Sequence, residues 1–103
     1  MSQYSMWQTH VRNQCPRLSD STAESLVRYI VFGARPGSFL TAALSNDFIQ
    51  VALRADLHNQ HAIGELARFL EHYAPRDSYG SPTKMRNWQG LEADKAEVVT
   101  TNE

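Results

Sequence analysis

Between Leu57 and Ala74 the apolar residues keep one spacing. Ile63, Leu66, Ala67, Leu70, Tyr73 and Ala74 recur at i, i+3, i+4 and i+7, the period that gathers side chains on one face of an α-helix. It predicts a helix over 57–73, capped by Asp56 and closed by Pro75. Gly64 weakens such a helix by about 1 kcal/mol relative to alanine, which suits a point where another helix crosses closely. A helix with one apolar face must bury it against other elements, and the rest of the chain supplies those as helices too.

Upstream, Ala23, Leu26, Val27, Ile30 and Val31 repeat the helical period. Ser21-Thr22-Ala23-Glu24 has the form of a capping box, and Gly33 supplies a left-handed stop. Tyr29 and Phe32 flank the stripe, as the edge of a core or as sticky surface. Arg35-Pro36-Gly37 reads as a turn, with Ser38 as N-cap of a short helix carrying Phe39, Leu40, Ala43 and Leu44. Asp47-x-x-Gln50 opens another, whose apolar face is Phe48, Ile49, Ala52 and Leu53. Ser81-Pro82 has the N-cap serine and first-turn proline that begin a helix. Met85 and Trp88 lie on one side of it, and Gly90 stops it. Strand signals are absent. The expectation is an all-α fold, a small bundle of four or five short helices with flexible termini. Residues 1–20 form an N-terminal arm or a short helix, 21–90 the helical domain, and 91–103 a disordered tail. Trp7 is either a core anchor for the arm or an aromatic presented to a partner.

A chain of 103 residues makes one domain, able to bury roughly two-thirds of its unfolded surface. Its formal charge of −1 and pI near 6.4 argue against a dedicated nucleic-acid binder, which carries a basic stripe. The single cysteine, Cys15, excludes an intramolecular disulfide and an all-cysteine zinc site. No secretory leader and no run of about 20 apolar residues is read, so the expected location is the cytoplasm, with no membrane partner.

The chemistry-bearing residues are few. His58, His61, Glu65, Arg68 and His72 follow the period of the 57–73 helix opposite its apolar stripe. His58, His61 and Glu65 are donor types that zinc takes, but Arg68 repels a cation and the H-E-x-x-H pattern is missing. A solvated face is the preferred reading, a metal-dependent function the remote one. Serines at 21, 38, 45 and 81 are absorbed by caps and turns, with no G-x-S-x-G elbow. No enzyme activity and no cofactor are expected. Lys84, Arg86 and Asn87 within 82–89 offer an alternative as a nucleic-acid-binding regulator. Two tryptophans, four tyrosines and four phenylalanines are more than a small bundle readily buries. Those left outside are favoured interface anchors.

Gly37-Ser38-Phe39-Leu40-Thr41-Ala42-Ala43-Leu44-Ser45-Asn46-Asp47 resembles a segment of short proteins of tailed phages and prophages. Arg54-Ala55-Asp56, Asn59, Phe69-Leu70, Pro75, Gly80-Ser81-Pro82, Lys84 and Trp88 are similar to later parts of that pattern. The resemblance spans about residues 29–88, and Tyr79 stands where tryptophan is expected. It carries over no catalytic residue and no cofactor. It implies a small accessory protein of a mobile element, acting inside the bacterial host by binding a host or phage protein; the surplus aromatics also allow self-association. The residues expected at such a contact are Tyr29, Phe32, His61, Arg68, Tyr79, Lys84 and Trp88.

Overall fold

The computed structural model describes residues 2–93, and these are all-helical, with no strand among them. They form seven α-helices: α1 Gln3–Gln14, α2 Asp20–Phe32, α3 Ser38–Leu44, α4 Phe48–Arg54, α5 Leu57–Gln60, α6 Ile63–His72 and α7 Pro82–Asn87, with a 3-10 turn at Arg76–Ser78. The count exceeds the expected four or five for two reasons. Residues 3–14 make a full helix, capped by Ser2. The predicted 57–73 helix is two, broken at His61 and Ala62. Asn59 lies in the short helix before the break. It is buried, its Oδ1 accepts from Ser19 N–H at 3.1 Å, and its Nδ2 donates to Thr22 Oγ1 at 3.0 Å. A single turn of helix thereby plugs the start of α2. Gly64 is not a crossing point; the nearest outside atom to a Cβ there is the Arg68 guanidinium, at 3.9 Å.

Caps follow the sequence in most places. Asp47, Asp56 and Ser81 each accept the N–H three residues on. At α2 the cap is Ser19, accepting from Thr22 N–H, not Ser21, because Asp20 already lies in the first turn. At α3 Gly37 precedes the helix and Ser38 is its first residue.

α2 is the centre of the fold. Leu26, Val27, Tyr29, Ile30 and Val31 are all buried. α1 lies along one side of it and also touches α6, while α3 packs on α4. The far end of α2 is closed by the segment after α7. Gly33 adopts φ 75° and ends the helix as expected. Its last carbonyls find donors there, those of Ile30 and Val31 being orphaned by the helix geometry and that of Tyr29 accepting in addition to its bond from Gly33 N–H. Trp88 Nε1–H donates to Tyr29 O at 2.9 Å, Leu91 N–H to Ile30 O at 2.9 Å and Glu92 N–H to Val31 O at 3.0 Å. Arg35 adds hydrogen bonds to the carbonyls of Met85 and Arg86, each at 2.6 Å. Residues 91–93, expected at the start of a loose tail, therefore belong to this strap; 94–103 lie outside the described residues. Gly90 does not stop α7, which ends at Asn87; it is where the strap crosses α2 at backbone contact. Among the described residues no helix is long and apolar enough to cross a membrane.

Candidate functional site: an open apolar groove beside α4

α4 has the sequence Phe-Ile-Gln-Val-Ala-Leu-Arg. Its apolar residues occupy more of the circumference than one stripe can hold, and α3 covers only part of it. Val51 is buried. Phe48, Ile49 and Leu53 are 75%, 61% and 71% exposed, and Leu57, just beyond, is 75% exposed. Phe48, Ile49, Ala52 and Leu53, read from the sequence as one apolar face, face solvent. Isolated exposed apolar residues need no explanation, whereas four large ones within ten positions of a small domain do.

Phe48 and Val51 also form one wall of a groove of about 300 Å³. Ile63, Leu66 and Leu70 of α6 form the other, and Tyr79 closes one end. Leu66 and Leu70 are buried at its base, so the floor is rigid core. Two carboxylates stand at it, Asp47 and Glu71, and no Lys, Arg or His lines it. Tyr79 is half-buried, and its hydroxyl donates to Glu71 Oε2 at 3.2 Å. Burial and the carboxylate together raise the phenol pKa. A larger hollow of about 460 Å³ between α1 and α2 is more open and polar. It is already spanned by the Arg12–Asp20 pair and the Gln8–Glu24 hydrogen bond.

The residues expected at a contact do not come together. Tyr29 is a correction: it is fully buried, with its hydroxyl donating to Ser78 O at 2.7 Å. It cannot meet a partner. Trp88 is half-buried in the strap. Phe32 is exposed but lies at the α1 side, stacked on Tyr4 with centroids 5.6 Å apart. Trp7 anchors α1, edge-on to Phe69 at 6.1 Å. Lys84 Nζ–H donates to Arg76 O at 3.4 Å, and α7 has only six residues, a short platform for reading nucleic acid. His61 and Arg68 are exposed. Of the expected contact residues, only Tyr79 lines the groove. Phe48, Ile49, Leu53 and Leu57 were missed. The usable signal was the excess of apolar residues on a seven-residue helix.

The histidine face does not assemble into a metal site. Glu65 turns to Arg17, accepting its N–H at 3.1 Å and pairing with its guanidinium at 3.7 Å. No group of three or more metal-ligating side chains occurs among the described residues. Cys15 is buried at the end of α1. Burial first, and the Glu65 carboxylate second, push its thiol up from 9.0 to about 12, with Arg68 opposing. A thiol so protonated is a poor nucleophile. In the native protein it should react with a disulfide reagent roughly a hundredfold or more slower than after unfolding in urea. Because the folded pKa is the higher one, the thiol stabilises the fold fully below pH 9, and that contribution is lost as pH rises from 9 toward 12. Native thiol reactivity equal to that of the unfolded chain would refute this.

No family model, curated protein or solved structure matches the chain.

Proposed function

We propose that this chain is a small accessory protein of the phage or prophage type that works by non-catalytic protein–protein interaction, with the outer face of α4 as its contact surface. The observation that carries this reading is the exposure of Phe48, Ile49, Leu53 and Leu57 beside a groove with a rigid apolar floor. Large apolar side chains around a preformed pocket are what interface hot spots are built from. The resemblance of residues 37–47 agrees, since that segment forms α3 and the turn that presents α4. The alternative, nucleic-acid contact through α7, has only Lys84 and Arg86 as exposed cations on a six-residue helix, so the apolar face is preferred.

The test is affinity capture from bacterial lysate with the intact chain and with an Ile49→Glu/Leu53→Glu variant. Both positions are solvent-facing, so the variant should fold with an unchanged circular dichroism spectrum and melting temperature. A captured protein should bind the variant at least about 30-fold more weakly, the loss of a central hot spot. Self-association should respond in the same way in light scattering. Equal binding by the two chains would remove α4 from the contact.

A further inference from the structure

The groove beside α4 carries more information than its exposure. We infer that its occupant is a cationic amphipathic helix of a partner protein, apolar residues in the trough and a Lys or Arg against Asp47 and Glu71. This rests on the reading of the α4 face as a contact surface and adds the chemistry of what lies there.

The trough sets the first requirement. Val51, Leu66 and Leu70 are the buried apolar side chains of the lining and offer an incoming backbone no donors or acceptors; the polar side chains of the lining are those of Asn46, Asp47, Glu71 and Tyr79. A segment seated there must satisfy its own N–H and C=O groups, since burying them unpaired is costly. An extended peptide does this by adding to a sheet edge, and the described residues contain no strand. A helix does it internally and presents anchors at i, i+3, i+4 and i+7. The side chains of Phe48, Ile63 and Tyr79 around the trough give such anchors walls to pack on.

Charge sets the second requirement. The groove holds two carboxylates and no cation. Asp47 Oδ1 accepts from Gln50 N–H at 3.3 Å, and Glu71 Oε2 accepts from Tyr79. Neither occurs among the ion pairs of the described residues. The neighbouring cations point elsewhere. Arg54 lines a separate hollow together with Asp47 and does not line the groove, and its Nε–H donates to Gln50 Oε1 at 3.1 Å. Arg68 reaches back along α6 over Gly64. Arg76 acts on the Tyr79 phenol but does not line the groove. Closing the trough with an apolar helix strengthens the field of both carboxylates by excluding water. An acidic occupant is repelled and a basic one selected.

The experiment titrates the intact, nitrogen-15-labelled chain with three amphipathic peptides of about 14 residues, long enough to form a helix. All carry leucine at i, i+3, i+4 and i+7; the polar positions are lysine in one, glutamine in the second and glutamate in the third. The lysine peptide should move the amides of Phe48, Val51, Ala67, Glu71 and Tyr79, and bind at least about tenfold tighter than the glutamate peptide. An Asp47→Asn/Glu71→Gln chain, which keeps a capping side chain at 47, should bind all three peptides alike. Equal affinity of the three peptides for the native chain, with shifts in the groove, would overturn the charge selection and leave the contact surface standing. Shifts outside the groove, no binding by any peptide, or concentration-dependent shifts at the same amides without peptide, showing a second copy seated there, would each overturn the inference. The α4 reading itself stands or falls separately, on lysate capture with the Ile49→Glu/Leu53→Glu variant.

Discussion

Replacing Gly90 with alanine is expected to destabilise the protein by about 3–5 kcal/mol, a large share of the roughly 5–15 kcal/mol available to a domain. Gly90 has φ 97°, and a Cβ there would stand 2.5 Å from Gly33 N, Phe32 C and Val31 O. Backbone strain at such a φ costs about 1–2 kcal/mol for a non-glycine residue. The overlap is with backbone and cannot be relieved by a rotamer change. The strap must lift, and its hydrogen bonds to Ile30 O and Val31 O then weaken, each worth about 0.5–1.5 kcal/mol net. Gly33→Ala should behave alike, because its Cβ would stand 2.5 Å from Gln89 C at φ 75°. Gly37→Ala is the control. Nothing lies within 4 Å of a Cβ there, and φ −72° suits alanine. It should stay within about 1 kcal/mol of wild type, the gain through the unfolded chain being offset by alanine's poorer fit at the N-cap of α3. Urea denaturation followed by circular dichroism measures all three, and a Gly90→Ala midpoint equal to wild type would refute the close crossing.

The same two glycines show where sequence reasoning succeeds. Gly33 was legible because a helix stop is a local event: the period ends and a left-handed residue follows. Gly90 was legible only as a break. Its work is done against residues nearly sixty positions away, which no local pattern records. Asn59 is similar. A polar residue inside an apolar period looks like the solvent side of a helix, yet here it is buried and hydrogen-bonded to the start of α2. The all-α class was readable throughout, because it depends on the period alone. The α4 face was misread for the opposite reason. Periodicity shows that apolar residues share a face, but what covers that face depends on tertiary packing. Counting the apolar positions of α4 against α3, the helix it packs on most closely, is the step that finds the groove.

Tyr29 turns this lesson into an expected result. It sits beside the predicted stripe of α2, and a single-stripe reading leaves it at the surface. Buried, it links α2 to the strap: its hydroxyl donates to Ser78 O at 2.7 Å and reaches Met85 O at 3.3 Å, while Trp88 holds its carbonyl. Tyr29→Ala should cost about 3–5 kcal/mol, as for other large aromatic truncations in cores. Tyr29→Phe keeps the ring and removes the donor. Met85 O retains Arg35, but Ser78 O loses its phenolic partner in a buried setting, so about 1–3 kcal/mol is expected. Burial raises the phenol pKa from 10.0 to about 12, against the pull of Arg35. The folded state thus holds the proton more tightly than the unfolded chain, and that stability is complete below pH 10 and lost as pH rises from 10 toward 12. Wild type should unfold more readily along that limb, whereas Tyr29→Phe, starting lower, should show a shallower decline set by Cys15 and Tyr79. Urea midpoints at pH 7, 10 and 11 decide it. Parallel curves for wild type and Tyr29→Phe would show that the phenol keeps access to water, and the strap would then be held by Gly90, Arg35 and Trp88 without it.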